Sequence, residues 1–232
     1  MYISIIVPIY NENLIIKKNL NKIYNCFKNK FEFEIIIVND GSTDNSINEI
    51  KKTNIKNVKI INNSKNMGKG FSIINGIKNS KGNLILLTDA DLSTPIEEFF
   101  KLFQHFNKGN DFIIGSRSHY DSEIKLKQSF LRIIFGRIFN LLVRFILNLK
   151  YNDTQCGFKL FAGNEVRNIV NKCKVTGFCI DVEILYLAKI LNINVFETGI
   201  IWTNDERSSV KLFSDSFNMF VDLLKIRFRK YN

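Results

Sequence analysis

The 232-residue sequence predicts an α/β fold with a mostly parallel central sheet flanked by helices. Three observations predict it. Apolar runs of strand length alternate with amphipathic runs of helical length through the first half, which is the pattern of repeated βαβ units. The run Leu84-Ile85-Leu86-Leu87 reads only as a buried strand, and it stops abruptly at Thr88-Asp89-Ala90-Asp91. Finally, polar loops follow the first, second, fourth and fifth strand-like runs, and parallel sheets bind ligands at the carboxyl ends of their strands.

Residues 2–8 form the first expected strand, and residues 13–27 a helix whose Leu14, Leu20, Ile23, Tyr24 and Phe27 share one face. A second strand at 33–38 ends in Asn39-Asp40-Gly41-Ser42, and Thr43 or Asp44 caps the helix after it. A third strand spans 58–61, a helix spans 68–79 despite its glycines, and the fourth strand spans 83–88. Pro95 suits the first turn of the next helix, with Glu97 and Glu98 favoured by its dipole. A fifth strand at 111–115 leads to Gly115-Ser116-Arg117. The second half is less regular: a long helix at 129–150, a polar loop at 153–159 entering a short strand, a helix at 181–191, a strand at 194–202 and a C-terminal helix ending in Lys225, Arg227, Arg229 and Lys230.

The long helix carries a wide apolar side, with Leu131, Ile134, Phe135, Ile138, Phe139, Leu142 and Phe145 among it, and Arg132, Arg137 and Arg144 opposite. Two readings stay open, a core-covering helix and an interfacial helix at a membrane.

Hydrophobic residues make up 45% of the chain, enough for a real core, and no linker-like run divides it. One domain, 1–232, is expected. Four cysteines without close pairing and two histidines make a zinc site unexpected and reduced thiols the expectation. The strand-like start, interrupted by Pro8, does not read as a signal peptide. No apolar run reaches the ~18 residues of a membrane-spanning helix. The net charge of +11 suits phosphate substrates, anionic lipid or nucleic acid; no nucleic-acid motif accompanies it, so no nucleic-acid partner is expected.

Asp89 and Asp91 stand at i and i+2, which on a strand places both carboxylates on one side. Two adjacent anions call for a cation, and a hard divalent ion holding a phosphate-bearing substrate supplies it. Lys69 lies between Gly68 and Gly70, where the backbone can approach a diphosphate closely.

Taken together, Pro8-Ile9-Tyr10-Asn11-Glu12, Asn39-Asp40-Gly41-Ser42-Thr43-Asp44, Asn66-Met67-Gly68-Lys69-Gly70 and Asp89-Ala90-Asp91 resemble the inverting glycosyltransferases of family 2. Further on, Leu92-Ser93-Thr94-Pro95, Gly115-Ser116-Arg117, Asp153-Thr154-Gln155-Cys156-Gly157-Phe158-Lys159 and Asp181-Val182-Glu183 resemble the dolichyl-phosphate β-glucosyltransferases and their polyprenyl-phosphate relatives. The resemblance implies a GT-A fold with a Rossmann-like nucleotide-binding half at 1–116 and an acceptor half with amphipathic helices at 117–232. It implies transfer of glucose from UDP-glucose to dolichyl or polyprenyl phosphate with Mg²⁺ or Mn²⁺. The alternatives are mannosyl or other sugar transfer to the same lipid, and a soluble transferase acting on a hydroxyl of a polysaccharide or protein. It also implies a cytoplasmic protein, peripheral on the cytoplasmic face of a membrane, held by the lipid surface or by a membrane-protein partner.

The implied roles follow residue by residue. Pro8, Tyr10, Glu12, Asn39, Asp40, Lys69 and Asp89 bind the nucleotide, with Asp40 accepting from base or ribose and Asn39 standing where the family often has aspartate. Asp89 and Asp91 serve the metal, Asp91 by direct ligation. Arg117 and Arg132 hold the acceptor phosphate, with Arg137 as a substitute for the second. Asp153 joins Asp91 and Arg117 as catalytic, by orienting the acceptor loop, binding a sugar hydroxyl or capping a turn. Gln155, Asp181 and Glu183 contact sugar, and Trp202 stacks on sugar or packs in the core.

Overall fold

The computed structural model describes residues 1–205, 207 and 212–231. Nine strands and eight helices are described: β1 (Tyr2–Ile9), α1 (Ile16–Phe27), β2 (Glu32–Asn39), α2 (Ser46–Lys51), β3 (Val58–Asn62), α3 (Lys69–Lys78), β4 (Leu84–Leu87), α4 (Phe99–Phe106), β5 (Phe112–Ser116), β6 (Glu123–Leu126), α5 (Phe130–Leu147), β7 (Lys159–Ala162), α6 (Gly163–Lys172), α7 (Ile180–Ile190), β8 (Val195–Gly199), β9 (Ile201–Thr203) and α8 (Leu212–Phe228). A short 3-10 turn, Ile96–Glu98, precedes α4.

The main sheet has seven strands in the order β3-β2-β1-β4-β7-β5-β8. All pairings are parallel except those of β7, which runs antiparallel to β4 and β5. The strand order reverses direction between β1 and β4. Their carboxyl ends therefore open a crevice, and ligands bind at such switch points.

Alternation along β1 explains the layers. Ile3, Ile5, Val7 and Ile9 point to one face, against Leu20, Ile23 and Phe27 of α1 and Phe99 and Leu102 of α4. Ile6 points to the other, against Ile73 and Ile77 of α3, Val166 and Ile169 of α6 and Ile184 of α7. Fully burying one such side chain contributes about 1.5–3 kcal/mol, and on the first face Phe27, Phe31, Phe99 and Phe103 form a ring cluster in which Phe99 and Phe103 stack and the other pairs meet tilted or edge-on. All four cysteines are buried free thiols.

The second half of the chain differs from expectation in two places. The strand expected at 194–202 breaks at Ile200: β8 stays in the main sheet and β9 pairs with β6, an element without a sequence signal, in a separate two-stranded sheet. Helix α5 packs through a narrow stripe, Phe139, Val143 and Leu147, onto α7 and α8. Val143 and Leu147 lie on the side that also carries Arg132 and Arg144, whereas Leu131, Ile138 and Phe145 of the expected apolar side are exposed. Only one helical stripe can meet the neighbouring helices, so the remainder of the apolar side faces outward.

Candidate active site

The strand-end loops converge on one cleft of about 1160 Å³, lined by Pro8, Tyr10, Glu12, Asp40, Lys69 and Asp89. Asp91, Arg117, Arg132, Asp153, Gln155 and Asp181 line it as well. Of the residues singled out by sequence, Asn39 and Glu183 lie outside it.

The Asp89–Asp91 pair is held by a turn. β4 stops at Leu87, and the Leu92 amide donates to the Asp89 carbonyl at 3.2 Å. Leu92 takes φ +51°, a left-handed conformation that costs a non-glycine residue of order 1–3 kcal/mol. The strand alternation expected to align the two carboxylates is therefore not the cause; the strained turn is. Asn19, buried on the core face of α1, donates to the Ala90 carbonyl at 2.9 Å and pins the turn from below. From the other side, Gly157 abuts Asp89: a Cβ there would lie 2.1 Å from Oδ2 of the carboxylate. Gly157→Ala should therefore displace Asp89 and cut turnover by about 10²-fold, the scale of an ångström-level misplacement, with the melting midpoint largely kept. Steady-state rates beside a melting curve check this.

The electrostatics separate the two aspartates. Burial opposes ionisation of Asp89, but the Lys69 ammonium, 2.7 Å away, with Lys159 and Arg117 beyond it, outweighs that and holds its pKa below the usual value. Among the described residues Asp91 has no such ion pair: burial first, and then the Asp89 charge, raise its pKa. Its Oδ1 accepts the Ser93 amide at 2.9 Å. Burial and the Asp91 charge likewise push Glu12 up to about 7. Anionic charge is thus under-compensated on the Asp91 side of the cleft. Asp91 and Asp89 are the oxygen donors that could hold a hard divalent cation there. Among the described residues no cluster of three or more carboxylate, histidine or cysteine groups forms a metal cage of its own.

Arg117, at the end of β5, is clamped by Asp153. Nε donates to Oδ2 at 2.6 Å, Nη2 to Oδ1 at 2.9 Å, and the Arg117 backbone amide to Oδ2 at 3.0 Å. The Gln155 amide occupies Oδ1 as well, at 3.2 Å. These bonds use the acceptor capacity of the Asp153 carboxylate. Of the three roles expected for Asp153, the hydrogen bonds favour orienting Arg117 and capping the loop over contact with a sugar hydroxyl, because both carboxylate oxygens already accept two donors each. Glu197 in turn accepts the Asn152 and Asp153 amides. The face of Trp202 lies 5.6 Å from the Arg117 guanidinium, and Trp202 itself is buried, so it packs under the arginine from the core.

The nucleotide side is built from loops that lock together. Asp40 accepts from Asn63 Nδ2 and from the Met67 and Gly68 amides at 2.8–2.9 Å, which shapes the backbone leading into Lys69 and leaves Oδ2 room for one further donor. Asn39 bonds Asn62 and accepts the Ser42 amide, so it serves the loop and not the cleft. Asn11 at φ +58° accepts the Thr43 amide, Ser46 receives the Glu12 amide and Asp44 the Asn13 amide, zipping the β1 and β2 loops together. Tyr10 stands half-exposed at the rim. Gln155 turns its amide toward Met219 of α8. Glu183, fully buried, accepts the Lys174 and Val175 amides, Arg229 and the Tyr231 hydroxyl, and so anchors the C-terminal segment. Its expected contact with sugar is corrected by that burial.

A switch-point crevice with a cation-demanding carboxylate pair, a lysine in a glycine turn and a clamped arginine defines a nucleotide-sugar-dependent transferase of the GT-A type. The comparisons agree. The profile of Glycosyl transferase family 2 matches residues 4–169, and the chain belongs to that family. The dolichyl-phosphate beta-glucosyltransferase of Dictyostelium discoideum is 36% identical over 99% of this chain and 75% of its own length. The Homo sapiens enzyme of the same name is 32% identical over 98% of this chain and 75% of its length. In fold, the chain is similar to the Mycobacterium tuberculosis glucosyl-3-phosphoglycerate synthase solved with Mn²⁺ and uridine-diphosphate-glucose, with a TM-score of 0.74 at 13% identity over 97% of this chain and 78% of that one.

Proposed function

We propose that the protein transfers glucose from UDP-glucose to a polyprenyl phosphate of the dolichyl type, with inversion at the anomeric carbon. The observation that carries the reading is the Asp153-clamped Arg117 at the end of β5, close enough to Asp89 to lower its pKa, in the cleft shared with Lys69 and Asp91. A lipid monophosphate is already an anion at neutral pH, so its oxygen attacks the anomeric carbon without a general base. The bond from that carbon to the diphosphate oxygen breaks, and UDP leaves with the electron pair. Arg117, aided by Arg132 of α5 at the cleft wall, binds and aims the nucleophile. Lys69 draws charge from the departing diphosphate, and Asp40 sets the loop that presents Lys69. Mg²⁺ or Mn²⁺ held by Asp91 and Asp89 would supply Lewis-acid neutralisation of the leaving group. Support for the donor and acceptor comes from the dolichyl-phosphate beta-glucosyltransferases the chain resembles and from the UDP-glucose-bound fold neighbour.

Among the described residues no helix is long and apolar enough to cross a membrane. The acceptor half instead exposes Phe130, Leu131, Leu141 and Phe145 of α5 and Phe217 and Phe228 of α8, among arginines and lysines. That combination suits the anionic surface of a cytoplasmic leaflet, and we place the protein there as a peripheral enzyme. Replacing Phe130 and Phe145 together by Glu should release it from phosphatidylserine-containing vesicles in flotation while a melting curve stays unchanged; retention on the vesicles would count against this face.

The decisive assay combines purified protein, UDP-glucose, Mn²⁺ and dolichyl phosphate, with GDP-mannose as the competing donor. Glucosyl lipid in the organic phase is the expected product. Absence of product across lipid conditions overturns the reading.

A further inference from the structure

Lys159 of β7 is fully buried, where an ammonium is seldom found unless paired. Its Nζ donates to Asp181 Oδ1 at 2.5 Å and to the Cys156 carbonyl. Asp181, in the first turn of α7, is only 3% exposed and yet lines the cleft. Among the described residues no hydrogen bond reaches its Oδ2, and that oxygen is not among the buried unsatisfied atoms, so it opens to the cleft. Lys69 lines the same cleft as Asp181. A carboxylate pinned from behind by a buried ammonium, with one oxygen turned outward, is a fixed acceptor for a hydroxyl group. The same ammonium holds the Cys156 carbonyl, and the next residue is the Gly157 that abuts Asp89.

The geometry points to Lys159 as the positioning residue for recognition of the donor hexose: it fixes Asp181 so that Oδ2 accepts a hydroxyl of the sugar being transferred. The inference rests on the nucleotide-sugar reading above. The orientation matters because a charge-assisted hydrogen bond to a sugar hydroxyl discriminates only if the acceptor cannot swing away. Lys159 touches no substrate; it acts through Asp181.

The test compares binding of UDP with binding of UDP-glucose, both with Mn²⁺, by titration calorimetry. The proteins are the wild type, Lys159→Met, Asp181→Asn and the double variant, each with a melting curve. Both single variants should keep their UDP affinity while losing about 10-fold or more in the ratio of UDP-glucose to UDP affinity, the scale of one charge-assisted bond. The double variant should lose no more than either single one, since both act through one contact. Lys159→Met leaves Asp181 buried without its cation; if it fails to fold, the double variant, with neither charge, carries the comparison. A folded double variant that keeps the wild-type ratio overturns the inference, because the pair is then only structural. A wild type that binds neither UDP nor UDP-glucose removes the nucleotide-sugar reading itself, and the inference with it.

Discussion

Asp91→Asn should lower kcat by on the order of 10³-fold, the equivalent of several kcal/mol of lost charge stabilisation on the leaving group. The melting midpoint should hold or rise. The sign follows from the local field. Burial and Asp89 raise the Asp91 pKa in the folded protein, so its ionisation opposes folding, and stability conferred by the protonated form is lost as pH rises through the folded pKa. Asparagine keeps the shape and the acceptor for the Ser93 amide but carries no charge to repel Asp89. A variant with lost stability and retained turnover would make Asp91 a structural residue. Asp89→Asn should behave differently, because it also strips Lys69 of its 2.7 Å partner. Thermal melting across pH, with metal-dependent turnover beside it, separates the two carboxylates.

The parts of this fold legible in the sequence are those in which one segment contains its whole explanation. The runs of β1, β2 and β4 are apolar on both faces because helices cover both, and that pattern needs no partner to be read. β6 is different. Its four residues are mostly exposed, and they are a strand only because β9, far along the chain, lies beside them. Helix α5 shows the same limit: its sequence displays the apolar side but cannot say which stripe meets α7 and α8.

The site divides in the same way. Asp89, Asp91, Lys69 and Arg117 were legible because their short motifs follow strands. Asn19 could have been noticed as an amide on the apolar stripe of α1, between Ile16 and Leu20, but nothing local says that it holds Ala90. Asn63, Gly157 and Lys159 act on partners at least 22 residues away in the cases of Asp40, Asp89 and Asp181, so their roles appear only when the chain is folded. The expected readings of Asn39 and Glu183 shifted, and that of Asp153 narrowed to two of its three expected roles, for a shared reason: each carboxylate or amide sits in the right region, but its hydrogen bonds are already used by the protein.

Arg117→Lys should reduce kcat/KM for the lipid phosphate by about 10²-fold while leaving the KM for UDP-glucose within about threefold, since lysine keeps the charge but loses the planar fork. Arg117→Ala confounds the experiment. It leaves the Asp153 carboxylate buried without its cation, and removing one partner of a buried pair costs about 3–5 kcal/mol. The cleaner companion is Asp153→Asn, which spares the arginine and loosens its aim, so acceptor KM should rise more than kcat falls. That variant has a second readout. Burial works against the ionised Asp153, but the Arg117 guanidinium more than offsets it and holds the pKa at about 2. The stability from this pair is therefore complete above the ordinary aspartate value of about 4 and is lost as pH falls through the folded pKa of about 2. Melting curves across that window should show an acid limb in the wild type that is shallower in Asp153→Asn. Equal losses toward donor and acceptor in Arg117→Lys would contradict the assignment, because a residue holding only the nucleophile leaves the nucleotide where it was.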